Sequence, residues 1–495
     1  MDKLEYIKGT AASVVNHPKL VPARDLSMRV SGQFTVAAVG DIVMTRPISQ
    51  LADPRVKKLC QLVRDADLAI GNLEQAIADV REFKGYSFGV ASFLVMAHPM
   101  VARDLATMGF DLLSRANNRL GDFGIEGNRE TDAHLRSVGI TPFGFGEHLA
   151  AARAPVYADW PGGRVSAIGV TAITNHNLDA VFGASARVGM SNGRPGANYL
   201  RVSRTVHLPA AAYDALRALA SEHDYAFPGA FPVIPSVMIF RDRMRIGSDW
   251  YMQSNVPGYS YEANESDVAD ILKNVRNAAY FSNFCVVSVH THQWMIDRDK
   301  PRGGLDGETQ EPPDFLTKLA RQTIDNGADM FCAHGPFEFR AIEIYKGKPI
   351  FYGLGSFVRQ AYMQEALPWD MYRAAEFGTN RFESVNPLAT DQTDAEILFA
   401  RTAKHPKTYF EGLLPICHFR ESRLDRIELH PTDLGFSGPI CDLGTPRYAE
   451  RTIGDSLILK VAELSSKFGT KVSMEEGLGV VRVSNNTMAS ENAEG

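Results

Sequence analysis

Residues 35–41 read Thr-Val-Ala-Ala-Val-Gly-Asp, an unbroken apolar run that ends in a glycine and a carboxylate. A short run without polar alternation suits a strand covered on both faces. The glycine lets the backbone turn sharply, and the turn leaves Asp41 at the strand's carboxyl end. The pattern recurs in ADLAIGNLE ending at Glu74, FDLLSRANN ending at Asn117 and Asn118, FCVVSVHTH carrying His290 and His292, and ADMFCAHG carrying His334. Open α/β sheets gather their sites outside the carboxyl ends of such strands, so these ends imply one shared rim. Any one of these residues alone reads as a loop polar group or a satisfied core histidine. Together they read as a site.

Working outward, helical and extended patterns alternate. DPRVKKLCQLVRDA, HPMVARDLATMG (closed by Gly109) and IEGNRETDAHLRSVG predict helices, and GRVSAIGVTAI predicts the next strand. Such alternation implies βαβ units and a largely parallel sheet, an α/β fold in layers. Residues 176–260 break the pattern: they are rich in Gly, Pro, Asn and aromatics, with one clear helix near 209–222. They predict an irregular insertion, read equally as a lid carrying substrate-facing loops or as surface decoration. Beyond it, SDVADILKNVRNAAYF predicts a helix capped by Ser266, FLTKLARQTIDNG another, and AIEIYKGKPIFYG a hairpin about Lys346-Gly347. LLPICHFR and RLDRIELHPTDLG predict late strands on an edge, followed by the helix ERTIGDSLILKVAELSSKFG. The expected division is an N-terminal extension over 1–32 and a main domain over 33–360 that contains the insertion. A C-terminal part over 361–483, irregular to about 410, packs on the same domain, and a disordered tail covers 484–495.

Composition narrows the function classes. At 495 residues and 45% hydrophobic, the chain can bury a sizeable core. A net charge of −6 and the absence of basic runs argue against nucleic acid. The first twenty residues lack the apolar region of a secretory signal, and no stretch is long and apolar enough to span a bilayer. Five scattered cysteines, Cys60, Cys285, Cys332, Cys417 and Cys441, lack paired zinc spacing and suit reduced core thiols in a cytoplasmic setting.

Asp41, Glu74, Asn118, His290 and His334 make a mixed oxygen and nitrogen donor set, which suits one or two ions of zinc, manganese or iron. Such an ion lowers the pKa of water to roughly 7, so hydrolysis is the expected reaction class. His290 and His292 share one strand face; His290 is the preferred ligand, and His292 is left to shuttle a proton or touch substrate. Arg119 is placed to grip a substrate carboxylate or phosphate, with Asp122 to hold Arg119 or a histidine. The run Gly353-Leu354-Gly355-Ser356-Phe357 predicts a tight turn more than an anion site.

In this order and combination, AAVGDIVMTRP, DLAIGNLEQAI, GFDLLSRANNRLGDFG, NGRPGANYL, VVSVHTHQW and GADMFCAHGPFEFRAIEIYKGKPIFYGLGSF resemble the CapA family of poly-γ-glutamate capsule biosynthesis. The resemblance covers about residues 34–360 and implies an α/β layered fold related to calcineurin-like metallophosphatases, with mixed sheets flanked by helices and an irregular insertion. By that resemblance, Asp41, Glu74, Asn118, His290 and His334 hold metal. This chain departs from the family's pattern at Arg119 and Phe337, where the family tends to carry histidines, and at Ser356. The resemblance implies a hydrolase acting on an amide, γ-glutamyl-like bond in a small-molecule or peptide-like anionic substrate. Nucleic acid and membrane partners are not expected, on the charge and on the lack of the N-terminal anchor that membrane-associated members of the family carry. The alternatives are a phosphoesterase and a non-catalytic polyanion-binding protein.

Overall fold

The computed structural model describes residues 26–87, 94–172, 182–222, 237–293 apart from 248, 295, 310–361, 393, 394, 396 and 406–483. The expected tail, most of the 361–410 segment and most of the N-terminal extension lie outside the described residues.

In chain order the first unit is β1 (Gln33–Val43), α1 (Pro54–Asp65), β2 (Leu68–Leu73), α2 (Met100–Met108), β3 (Leu112–Ser114), α3 (Gly124–Ser137) and β4 (Thr141–Phe143). Its helices start and stop where local chemistry dictates. Asp53 accepts the Arg55 N–H ahead of α1, whose first residue is Pro54, and Gly109 at φ 100° closes α2. A second unit opens with the hairpin β5 (Val156–Trp160) and β6 (Gly163–Thr171).

Then come β7 (Val202–Leu208), α4 (Ala210–Glu222), β8 (Val237–Ile239), β9 (Arg243–Ile246), β10 (Asp249–Gln253) and β11 (Gly258–Ala263). These five strands form their own sheet in the order β8-β9-β10-β7-β11. The 176–260 segment is therefore more regular than its glycines and prolines predict. Its strands are short runs such as RMRI and DWYMQ, whose aromatic and branched residues favour pairing once neighbours are present.

The second unit resumes with α5 (Glu265–Phe281), β12 (Phe284–His290), α6 (Asp314–Asp325), β13 (Met330–His334), β14 (Ile342–Tyr345) and β15 (Lys348–Phe351). Asn264, not Ser266, caps α5 by accepting the Asp267 N–H, because the helix begins at Glu265. The β14–β15 turn uses Lys346 and Gly347 at positive φ, as a two-residue hairpin of the primed kind requires. The chain closes with β16 (Ser356–Arg359), β17 (Glu411–Arg420), β18 (Arg423–Asp433), α7 (Arg451–Ser466), β19 (Ser473–Glu475) and β20 (Leu478–Arg482).

The strands of the two units form two large mixed sheets. One has ten strands on the path β19-β20-β18-β17-β1-β2-β3-β4, with β16 also on β1 and a short strand at Arg447–Tyr448 on β18; the other has six, β14-β15-β13-β12-β6-β5. β17 and β18 are thus interior strands rather than the expected edge. β17 pairs antiparallel with the first half of β1, and buried positions line both its faces.

The two sheets pack face to face. Phe34, Val36 and Ala38 of β1 meet Val165, Phe284, Val286, Met330 and Cys332 of the six-stranded sheet in one apolar layer. The alternate residues Ala37 and Val39 face a second core with Val56 and Leu59 of α1 and Val101 and Leu105 of α2. Cys285, Val287 and Phe331 face a third core with Ile271 of α5 and Leu316 of α6. The period of two in each strand thus builds helix, sheet, sheet and helix in layers. Each fully buried large apolar side chain contributes roughly 1.5–3 kcal/mol, so the inner layer can carry a costly polar cluster at its end. All five cysteines are free, and only Cys441 is exposed. Among the described residues no helix is long and apolar enough to cross a membrane.

Candidate metal centre

The inner apolar layer ends in polar residues at one rim, and strand parity determines which. On β12 and β13 the even-numbered residues face inward, so His290 and His334 continue the rows Phe284-Val286-Ser288 and Met330-Cys332. They are register partners on adjacent parallel strands. On β1 the even parity would send Gly40 inward, but the pairing with β2 slips: Ala38 opposes Ile70, whereas Asp41 opposes Asn72. The extra residue is a β-bulge, and beyond it the faces exchange, so Ile42 joins the outer core. A Cβ on Gly40 would lie 1.9 Å from the Gly355 carbonyl oxygen, which itself accepts the Asp41 N–H at 2.9 Å. The glycine-rich turn before β16 therefore buttresses the bulge.

Three donor atoms converge there. The Asp41 Oδ1 atom lies 3.6 Å from His290 Nδ1 and 3.5 Å from His334 Nδ1, and the two ring nitrogens are 2.9 Å apart. Nitrogen and oxygen ligands at tetrahedral angles about a zinc ion stand roughly 3.3–3.5 Å apart, given bonds of about 2.0–2.1 Å. The two edges to Asp41 lie near that spacing and the edge between the rings is shorter, so the three atoms surround a point that suits one divalent ion. Gly335 N–H donates to Asp41 Oδ2 at 3.0 Å, and Ser288 Oγ lies 2.8 Å from His334 Nε2, fixing both ligand groups from behind.

Glu74, His290 and His292 form a second group with ligand atoms within 4.8 Å of one another. Glu74 lies 4.0 Å from His290 Nε2, and neither that nitrogen nor His292 Nε2 has a hydrogen-bond partner although both are buried. Orphaned buried nitrogens of this kind favour a ligand or a proton to share. Arg119 places Nε 3.7 Å from Glu74 and a terminal nitrogen 3.7 Å from Asp122, so two carboxyl groups flank the guanidinium. Asn118 offers a buried Oδ1 with no hydrogen-bond partner, whereas Asn117 bonds into the network.

The electrostatics separate the two carboxylates. Burial would raise Asp41, but its hydrogen bonds and charge interactions with His290 and His334 hold it well below the usual carboxylate range. Burial, with the charge of Asp41 beside it, pushes Glu74 up to about 8 against the pull of Arg119 and Arg359. Burial brings His290 down to about 4 despite Asp41, and His292 also falls well below the usual histidine range. Both imidazoles are therefore neutral near pH 7, the form a metal ligand needs. Asp122 rises to about 7, driven by burial and opposed by Arg119.

Three contributors escaped the sequence reading. Asn72 donates to Asp41 Oδ1 at 2.8 Å and lies 3.3 Å from His290 Nδ1. Its orientation follows from a chain of bonds: Asn117 Oδ1 accepts the Arg119 N–H, and Asn117 Nδ2 donates to Leu73 O and to Asn72 Oδ1. Parity on β2 could have found it, since Asn72 follows Leu68 and Ile70 on the inward row. Ser288, two residues before His290, carries the same signal. Arg359 stacks its guanidinium 4.2 Å over the Phe337 ring, and Phe337 lies 5.4 Å from the His292 ring; no spacing rule pointed to it. A cavity of about 1320 Å³ is lined by His292 and Gln293 beside the site and by Arg201, Arg204, Trp250 and Tyr261 of the five-stranded sheet and its approach.

With this geometry in place, comparison with known proteins is informative. Residues 35–361 match the family described as bacterial capsule synthesis protein PGA_cap. The uncharacterized protein y4sH of Sinorhizobium fredii is 32% identical over 98% of this chain and 100% of its own length. The capsule biosynthesis protein CapA of Bacillus anthracis is 22% identical over 67% of this chain and 61% of its own. The PGA biosynthesis protein CapA of Bacillus subtilis is 22% identical over 72% and 71%.

Proposed function

The chain belongs to the bacterial capsule synthesis protein PGA_cap family, and on that premise we propose that it is a metal-dependent hydrolase cleaving an amide, γ-glutamyl-like bond in an anionic peptide-like substrate. The convergence of Asp41, His290 and His334 carries this reading. Those three residues would hold the ion. A divalent ion bound there supplies Lewis-acid polarisation of the scissile group and acidifies water for attack.

The remaining roles belong to the protein's own groups. Arg119, side chain 18% exposed and held by Asp122, presents a guanidinium to a substrate carboxylate. His292, neutral and with Nε2 unshared, accepts the proton released by the attacking water and returns it to the leaving nitrogen. Glu74 stands beside His290 and Arg119, and with burial pushing its pKa up to about 8 its carboxyl is largely neutral near pH 7. The cavity beside His292 is large enough for several residues of an extended substrate, and relatives named for capsule or PGA biosynthesis support a polymeric anion as its source. We further propose that residues 33–360 work as one catalytic unit.

The second guanidinium favours one other reading. Arg359 Nε is buried without a hydrogen-bond partner, and two arginines suit a phosphate ester as well as a carboxylate. Protein reloaded with zinc or manganese separates the readings when assayed on a γ-glutamyl anilide and on an aryl phosphate. Turnover of the anilide that disappears in Asp41→Asn supports the amidase. Turnover of the phosphate alone supports the esterase, and a loaded protein inert to both overturns hydrolysis in favour of polyanion binding.

A further inference from the structure

We infer that this centre is built for one divalent ion, held by Asp41, His290 and His334, and that Glu74, His292 and Arg119 form a metal-free face beside it. The inference rests on the metal reading above and specifies its stoichiometry. Two observations carry it.

The first is that both donor groups draw on the same imidazole. His290 directs Nδ1 at Asp41 and His334 and Nε2 at Glu74. A neutral imidazole has one lone pair and one N–H, so it serves one ion at a time. The choice of nitrogen is made by Asn72. Because Asn117 is pinned by the Arg119 N–H and by Leu73 O, its amide nitrogen faces Asn72 Oδ1, and the Asn72 amide nitrogen must face Asp41 Oδ1 and His290 Nδ1. A donor at 3.3 Å from Nδ1 selects the tautomer with the lone pair on Nδ1 and the proton on Nε2. The Asp41 group then finds a lone pair, and the Glu74 group finds an N–H. His334 turns Nδ1 to the Asp41 group and shares a hydrogen bond with Ser288 Oγ through Nε2.

The second observation concerns charge. Glu74 is 3% exposed and already has the Arg119 guanidinium 3.7 Å away. A second dication at Glu74 would have to sit against that cation in a site with little water to screen it. The protein thus places a fixed positive charge where another ion would otherwise go, leaving His292 free for proton transfer.

Stoichiometry tests this directly. Chelator-treated protein is reloaded with manganese, freed of excess, and read by elemental analysis and electron paramagnetic resonance. One equivalent with an uncoupled single-ion spectrum is expected. His334→Ala and Asp41→Asn should lower manganese affinity at least tenfold, whereas His292→Ala and Glu74→Gln should keep one equivalent with affinity within about threefold. Circular dichroism identifies any variant that has not folded, and the wild-type stoichiometry stands without the variants. Two equivalents, a spin-coupled pair, or loss of the ion in His292→Ala as deep as in Asp41→Asn would overturn the inference while leaving a metal enzyme. No bound ion in the wild type would overturn the metal reading itself, and this inference with it.

Discussion

Two groups of histidines with carboxylates lie against the ten-stranded sheet, and of these only the rim group makes a ligand triangle. At the rim, Asp41, His290 and His334 come from three strands of two facing sheets and converge within 4.8 Å. On the outer face of the same sheet, His418 of β17 and His430 of β18 flank Glu428 at 3.3 Å and 3.6 Å. Their residue types are those of the rim, yet they do not form a three-donor group, and Arg426 already occupies Glu428 at 2.9 Å. Side chains on one sheet face are spread by the strand spacing, whereas strand ends from two sheets can point at a common centre. What distinguishes a site from a set of buried polar residues is convergence, not composition.

Experiments that break the contrast should have graded effects. Asp41→Ala removes the anionic ligand and should cost at least 100-fold in metal affinity, with hydrolysis lost. His418→Ala should leave bound metal unchanged by elemental analysis. Metal loss in His418→Ala would erase the distinction. Arg119→Ala should raise KM for an anionic substrate roughly 10–100-fold with a smaller fall in kcat, the loss of one charge-assisted contact of about 1.5–3 kcal/mol. A pure kcat effect would remove Arg119 from substrate binding.

Asn72→Ala sharpens the contrast from the supporting side. It frees the His290 tautomer and should weaken metal binding about tenfold, the lower end of what such orienting partners contribute. Titration with a competing chelator measures it, and unaltered affinity would show that Asn72 does not choose the nitrogen.

The outer group is tested through stability rather than through metal. Burial lowers His430 to about 4 from an ordinary value of 6.5, against the pull of Glu428. A histidine held neutral in the fold loses stability as pH falls from about 6.5 towards 4, because the unfolded chain takes up the proton first. The loss by pH 4 is of order 2–3 kcal/mol. His430→Phe should flatten the decline in Tm across that window. A decline as steep as in the wild type would mean that other groups cause it.

Much of this was legible in the chain. Apolar runs ending in Asp41, Glu74, Asn118, His290 and His334 announced strands and a rim, because burial on both faces leaves a continuous hydrophobic signature. Gly109 as a helix stop and the Lys346-Gly347 turn were readable for the same local reason, since left-handed backbone favours particular residues. Less legible were β17 and β18, expected on an edge but placed beside β1, and the sheet hidden in residues 176–260. Both depend on which strand is the neighbour, and pairing partners leave little trace in a single sequence.

The amino-acid sequence by itself determined the fold class and which strand ends carry donors, since these follow from periodicity and side-chain chemistry along a few residues. Only the tertiary structure decided which donors meet. The β1 bulge turns Asp41 rather than Gly40 inward, the facing of two sheets brings Gly335 to a carboxylate 294 positions away, and the Asn117–Asn72 relay picks a nitrogen of His290. A ligand triangle is a matter of tenths of an ångström between distant residues, and that precision arises from packing, which no local run of sequence contains.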